Sequence, residues 1–265
     1  MRKSPFFLTL IYWAILSVFF LSCTPAKKES KFITLTVYAS ASLKSALADI
    51  QKIYNQDNPN ITIKYKLANS GTLEKLIEQG ARVDILITSN SKSLDNLQSK
   101  NFLLAGTRQN LLKNQIVLIV SKDTKNISDF KDLTRRQIQK IALGDRTKEA
   151  SGKYALEIFM NLGILDQVKQ KFVFMSKNNE ILSFVENGKA NAGLVYATDA
   201  ILSEGVKMVT LSPHELHSPI VYPIAILKTS PNTPEARNFI QFLQTDRAEA
   251  VFLKYRFVVN SKRSN

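Results

Sequence analysis

Cysteine, histidine and tryptophan are nearly missing from this chain of 265 residues, which holds one cysteine, two histidines and one tryptophan. With Cys23 alone, no intramolecular disulfide can form. The histidines stand three apart in "SPHELHSP" (His214 and His217), short of the H-E-x-x-H spacing of a zinc hydrolase. Two ligands in a Pro-flanked loop also make a poor metal site, so both read as surface loop residues. Nor does a serine at the strand-to-helix junctions described below occupy a G-x-S-x-G elbow, which leaves a secreted serine hydrolase as the weaker alternative. Heptads, low-complexity tracts and residue-level repeats are absent, and the lysines are scattered rather than bunched with aromatics, against a nucleic-acid surface.

The one long apolar run opens the chain: "FFLTLIYWAILSVFFLS" (6–22) follows Arg2 and Lys3 and ends directly at Cys23. This pattern reads as a secretory signal over 1–22. Its length sits at the short limit for a membrane span, so a transmembrane anchor stays open as an alternative, as does an ordinary signal with an incidental thiol. "FLSC" resembles a bacterial lipobox, in which the signal is cut before the cysteine and the new N-terminus is lipidated; Phe20 departs from the usual aliphatic residue. Residues 23–31, "CTPAKKESK", then read as the lipidated N-terminus and a short polar tether. The formal net charge is +14, of which Arg2 and Lys3 leave with the signal. A cationic balance on an exported chain suits an anionic membrane surface or an anionic solute.

From residue 32 onward the hydrophobic period alternates between strand and helix. "FITLTVYA" (32–39) predicts a strand, "LKSALADIQKIYNQDN" (43–58) an amphipathic helix, and "ITIKYKLA" (61–68) a second strand. A helix ending at Gly80, the strand "VDILIT" (83–88), the helix "NSKSLDNLQSK" and the strand "QIVLIV" (115–120) follow. The second half repeats the theme with "KIALGD" (140–145), "GKYALEIFMNLG" (152–163), "KFVFM" (171–175), "NEILSFVENG" (179–188) and "NAGLVY" (191–196). A strand "VYPIAIL" (221–227) and helices within 233–257 close the chain. Two successive β-α-β sections predict two α/β lobes.

Three strand-to-helix junctions carry serine: Ser42 in "ASASL", Ser70 in "ANSGTL" and Ser151 in "EASGKY". In open α/β sheets ligands collect at the carboxyl ends of strands, where helix N-termini present free N–H groups. Each serine alone reads first as a helix N-cap, and Ser42 is expected to cap its helix while also offering its hydroxyl. Together the three would form a neutral, donor-rich site suited to an oxyanion. Gly71 and Gly152, directly after two of the serines, are expected to let the backbone approach a bound group.

The stretches "LTVYASASLKSALADI", "ANSGTLEKLIEQGARVDILIT", "TRQNLLKNQIVLIV", "GDRTKEASGKYALE" and "NAGLVYATDAI" resemble, in order and spacing, the periplasmic molybdate-binding proteins of ABC transporters. The closing "VYPIAIL…ARNFIQFLQTDRAEAVFLKYRF" is similar to the end of the same family, so the resemblance runs from about Phe32 to Val259. It implies a two-lobed type II periplasmic solute-binding fold with the ligand cleft between the lobes. The lobe boundaries it implies are 32–112 for lobe I, 113–227 for lobe II with the crossing strands, and 228–265 for the return to lobe I.

The resemblance also implies a function: capture of molybdate, and of tungstate with it, for delivery to a membrane permease and its ATPase. No catalytic residue and no cofactor is implied; the protein is expected to act as a monomer, held to the envelope through lipid on Cys23. The family's oxyanion contacts fall on Ser42 and Ser70 in the first lobe, and on Ser151, a backbone N–H at Asn178 and the Tyr196 hydroxyl in the second. From the residues alone Tyr196 reads equally as a half-buried core tyrosine. Ser151 stands where the family has a small apolar residue, and "SKNNEIL" replaces an apolar residue and an arginine, which leaves Asn178 or Asn179 to supply the contact. Glu180, close by, is expected to face solvent. Sulfate is the alternative oxyanion, since cavity size is not written in the sequence.

Overall fold

The computed structural model describes residues 32–259. The expected signal (1–22), the lipidated Cys23 with its tether to 31, and residues 260–265 lie outside the described residues. In chain order the strands and helices are β1 (Ile33–Ser40), α1 (Lys44–Asp57), β2 (Ile61–Ala68), α2 (Ser70–Glu78), β3 (Ile85–Ile87), α3 (Ser91–Ser99), β4 (Gln109–Asn114) and β5 (Ile116–Ser121). They continue with β6 (Ile141–Gly144), α4 (Ala150–Asn161), α5 (Leu165–Val168), β7 (Phe172–Met175), α6 (Asn178–Glu186), β8 (Ala192–Tyr196), α7 (Ala197–Ala200) and β9 (Val206–Leu211). The last are β10 (Ile220–Ile226), α8 (Thr233–Phe242), α9 (Asp246–Lys254) and β11 (Val258–Val259).

These strands form two mixed sheets, a six-stranded one in the order β11-β4-β10-β3-β1-β2 and a five-stranded one in the order β7-β6-β8-β5-β9. This is the two-lobed α/β architecture expected from the alternating periods. The chain leaves the first sheet at Asn114 and enters the second at Ile116, so one residue, Gln115, makes the first crossing. It returns between Leu211 and Ile220. The strand over 220–226, expected among the crossing strands of the second lobe, pairs with β3 and β4 and so lies wholly in the first sheet.

Each lobe has its own reason to fold. In the first, β3 is buried along its whole length, as a strand covered on both faces must be. Helix α1 buries Ala46, Leu47, Ile50 and Tyr54 on one stripe, the spacing of an amphipathic helix. The Tyr54 ring meets Phe239 and Phe242 of α8, each at 4.9 Å between centroids, so the C-terminal helices complete the first lobe's core. In the second, Ile116 to Val120 of β5 are fully buried, while β7 at the sheet edge stays partly exposed.

Register brings the junctions together. β1 and β2 run parallel with Ser40 opposite Ala68, so Ser42 and Ser70, each two residues further on, leave the sheet at the same edge. In the second sheet Gly144 of β6 lies opposite Met175 of β7, and β8 runs parallel to β6. The junctions bearing Ser151, Asn178 and Tyr196 therefore all sit at the carboxyl ends of parallel strands.

Candidate functional site

None of the three serines is a helix cap. Ser42 lies inside the 3-10 turn Ala41–Leu43, and the helix that follows has Leu43 at its N-cap. Asn69 caps α2, its Oδ1 accepting from Thr72 N–H at 2.8 Å, which puts Ser70 one residue into the helix. Glu149 occupies the N-cap of α4 and Ser151 lies two residues in. The expectation that Ser42 caps its helix is thus corrected: the chain turns through a 3-10 segment before the α-helix begins, and the serine falls in that turn.

Freed from capping, the hydroxyls are held by other partners. Ser42 Oγ lies 3.0 Å from the phenol of Tyr222, and Tyr222 in turn accepts from Asn114 Nδ2 at 3.3 Å. Burial pushes the Tyr222 phenol up to about 12, so it stays protonated. Either hydroxyl of this pair can be the donor; when the phenol gives its hydrogen to Ser42 Oγ, the serine hydrogen has only Ser40 Oγ, at 3.4 Å, within reach and is available to a ligand. A register shift between β10 and β4 falls at Tyr222/Pro223, directly after the residue that meets Ser42. Ser70, buried, accepts from Ser89 N–H at 3.1 Å, and its Oγ lies 3.2 Å from Ser89 Oγ, a pair in which either hydroxyl can donate.

The second lobe contributes a different arrangement. Ser151, fully buried, donates its hydroxyl to Asn178 Oδ1 at 2.6 Å. The Asn178 amide is oriented for this because its Nδ2 donates to Asp199 Oδ2 at 2.7 Å. The Ser151 hydrogen is therefore committed within the protein, and what the two helix starts offer a ligand are the backbone N–H groups of Ser151 and Asn178. Gly152 is needed for packing: a Cβ there would lie 1.8 Å from the Gly144 carbonyl oxygen, so its expected part in admitting a ligand is replaced by close helix-to-strand contact. Gly71 faces open space, with only Asn69 Oδ1 near, at 3.8 Å.

Tyr196 ends β8, half-buried, with its ring 6.4 Å from that of Tyr154. Burial first, then the neighbouring Tyr222, Tyr154, Glu149 and Asp199, hold its phenol well above the ordinary range, so it is a donor at any physiological pH. Asp199 is pushed up to about 6, by burial first and by Glu149 second. Glu149 is itself raised by burial, although the N–H groups of Ser151, Ala150 and Asn178 beside it favour its charge. Glu180, the carboxylate singled out in the sequence, is exposed and accepts from Ser176 N–H at 3.0 Å, outside this cluster.

Ser42 with Tyr222, and Ser151 with Asn178 and Asp199, form two hydrogen-bonded sets, one beside each sheet. The link across the sheets is Asn114 Nδ2 donating to Thr198 Oγ1 at 3.0 Å. Ser70 is joined to Ser89 and shares only the sheet edge with Ser42. Tyr222, Asn114, Ser89, Asp199 and Glu149 were not singled out by the sequence; Glu149 alone left a trace, as a glutamate where a cap is ordinarily Ser, Thr, Asp or Asn. His217 is also corrected: it is 6% exposed, because the returning crossover packs on α4, where Asn161 holds the Leu216 carbonyl and Glu157 the Ser218 N–H. Its Nδ1 is 2.8 Å from the Ser218 carbonyl and its ring lies 5.7 Å from Tyr154. Among the described residues there is no cluster of three histidine, cysteine or acidic side chains able to hold a metal cation.

Comparison with known proteins agrees with the fold. The family model for bacterial extracellular solute-binding proteins matches residues 35–258. YvgL of Bacillus subtilis, which carries the provisional name of an ABC transporter substrate-binding lipoprotein, is 36% identical over 253 residues, covering 93% of this chain and 96% of that protein. The molybdate-binding protein ModA of Haemophilus influenzae is 33% identical over 227 residues, covering 84% of this chain and 89% of its own. Among solved structures, the substrate-binding domain of a provisionally assigned molybdenum ABC transporter from Clostridium difficile superposes with a TM-score of 0.83 at 34% identity, covering 86% of this chain and all of that one. With the family model spanning both sheets and every junction described above, the chain belongs to the bacterial extracellular solute-binding proteins.

Proposed function

We infer that this protein captures molybdate, and tungstate with it, outside the cytoplasm and delivers it to an ABC permease and its ATPase. The observation that carries this reading is the set of strand-to-helix junctions at the carboxyl edges of two sheets, whose serines are free of capping duty. The ModA relative, which is named for molybdate, supports the choice of anion. In this reading Ser42 and Ser70 donate their hydroxyls from the first lobe, while Ser151 N–H, Asn178 N–H and the Tyr196 phenol donate from the second. Two helix N-termini add favourable potential for a dianion.

Capture needs no bond-making. Ser42 is paired to a tyrosine rather than to a general base, so the site holds an anion without attacking one, and no cofactor takes part. The lobes close because the anion contacts both of them only in the closed state, which it stabilises by that difference. Tetrahedral molybdate and tungstate fit the same donors; sulfate is smaller and would leave longer hydrogen bonds in a cavity shaped for them. The positive net charge, +14 for the whole chain, speeds encounter with anions at low salt. Lipid on Cys23 would keep the monomeric protein close to its permease.

Thermal unfolding tests the reading. A ligand at about a thousandfold its Kd stabilises the folded state by about 4 kcal/mol. Molybdate and tungstate are expected to raise the Tm by several degrees and equal concentrations of sulfate and phosphate to leave it in place; a response to sulfate alone would transfer the reading to that anion.

A further inference from the structure

The first crossing between the sheets is a single residue, and both of its backbone polar groups are held. Gln115 N–H donates to Asn114 Oδ1 at 2.8 Å, and the Gln115 carbonyl accepts from Ala197 N–H at 2.9 Å. A link of one residue leaves only two soft dihedrals to set the rotation between the lobes at this point. The side chain of Asn114, 1% exposed, reaches partners on both sides of that link. Its Nδ2 donates to Thr198 Oγ1 of the second lobe at 3.0 Å and to the Tyr222 phenol of the first at 3.3 Å. An amide nitrogen carries two hydrogens, so both bonds are made at once and none is left over.

Each partner stands directly behind an assigned anion donor. The Tyr222 oxygen is 3.0 Å from Ser42 Oγ. Thr198, buried in α7, comes two residues after Tyr196 and one before Asp199, whose carboxylate accepts from Asn178 Nδ2 at 2.7 Å. We propose that Asn114 is the positioning residue of the anion site, a latch at the crossing whose one amide sets the donors of the first lobe against those of the second. The proposal rests on the molybdate reading for what those donors bind, and on the bonds of Asn114 alone for the latch. Asn114 acts through Tyr222 and Thr198 and does not itself touch the anion. Its physical content is preorganisation: a site divided between two lobes loses affinity when the ligand must also bring them into register. A buried amide keeps that register narrow, because leaving it strands an unpaired N–H. The anion still supplies the difference that closes the lobes. The latch sits at the crossing, where a rotation between lobes moves atoms least, and so fixes how the two sets of donors meet.

Replacing Asn114 would remove three bonds together, so the test is made on Thr198, in the full-length protein. Thr198→Val removes only the bond between the lobes, and Thr198→Ser retains the hydroxyl. Calorimetry with molybdate is expected to show Thr198→Val binding roughly fivefold to tenfold more weakly and Thr198→Ser binding within about threefold of the unmodified protein. Residual dipolar couplings of the ligand-free proteins report how the two sheets are oriented to each other, a readout that local packing loss does not move. The orientation is expected to shift in Thr198→Val and to stay in place in Thr198→Ser. An unshifted orientation in Thr198→Val, or a shifted one with molybdate affinity unchanged, overturns the proposal, even where that variant is less stable. If no form binds molybdate, the molybdate reading has failed instead and the couplings decide alone: a shift confined to Thr198→Val supports the latch, and no shift overturns it.

Discussion

Ser42 and Tyr222 offer the sharpest test of how the first lobe prepares its donor. The serine hydroxyl is 3.0 Å from the phenol, and the phenol is supported by Asn114 at 3.3 Å. Removing the Ser42 hydroxyl deletes a hydrogen bond to a charged ligand, worth about 1.5–3 kcal/mol, so Ser42→Ala is expected to weaken molybdate binding roughly tenfold to 150-fold. Its cost in stability should be small, because the residue is neither a cap nor fully buried. Tyr222→Phe acts the other way round. Tyr222 is 1% exposed, and its loss leaves Ser42 without that partner while Asn114 keeps Thr198, so stability should fall by about 1–2 kcal/mol. Affinity should fall only about threefold to tenfold, because the ligand loses a donor's orientation and not the donor itself. In the Ser42→Ala background there is nothing left for the phenol to orient. The double variant should therefore bind like Ser42→Ala within about twofold, a coupling near 1 kcal/mol in a double-mutant cycle. Calorimetry on the four proteins gives the cycle directly. Multiplicative losses would show that Tyr222 acts on binding by another route and would refute the hydroxyl relay.

Gly152→Ala would place a Cβ 1.8 Å from the Gly144 carbonyl oxygen and 2.6 Å from its carbon, both rigid backbone, so urea denaturation should report a loss of about 3 kcal/mol. Gly71→Ala, facing open space, should leave stability within about 0.5 kcal/mol in the same assay. Burial holds Asp199 up to about 6 against an ordinary 3.8, so between those pH values the folded protein binds more protons than the unfolded chain. Its stability should accordingly fall as pH rises from about 4 to about 6 and then level off; Asp199→Asn, which keeps an acceptor for Asn178, should abolish that segment of the stability profile. Phe252, fully buried in the C-terminal helix pair and packed edge-on against Phe257 at 6.1 Å, should cost about 3–5 kcal/mol when replaced by alanine, measured by thermal or chemical unfolding.

The alternation of periods was sufficient to read two α/β lobes, because strands such as Ile116–Ser121 and helices such as Lys44–Asp57 carry strong hydrophobic patterns of different period. Strands without a continuous buried run were harder to see. Val206–Leu211 is mostly part-exposed, and Gln109–Asn114 has polar residues at both ends, so neither stands out as a buried run. The ladder assignment of 220–226 was equally invisible, since a strand's own residues do not say which sheet completes it. At the site, the serine junctions were legible as a set, but their capping state was not: whether Asn69 or Ser70 takes the N-cap depends on where the first helical turn closes. Tyr222 and Asn114 are far from the serine junctions in sequence and reach them only through tertiary folding, by β10 pairing with β4, whereas Asp199 stands three residues after Tyr196 and its contact with Asn178 depends on how α7 packs. Glu149 lies inside the quoted "GDRTKEASGKYALE", but the direction in which its carboxylate leaves the helix start is set by the turn before it, where the Asp145 carbonyl holds the Glu149 N–H.

The most direct test of the account is isothermal titration of the purified protein with molybdate, tungstate, sulfate and phosphate under one buffer and salt condition. One-to-one binding of molybdate and tungstate, with sulfate and phosphate bound far more weakly, is the predicted result. Binding of none of the four would contradict the account, for it would mean that serine hydroxyls and helix-start N–H groups gathered at one edge of two sheets do not make an oxyanion site in this chain.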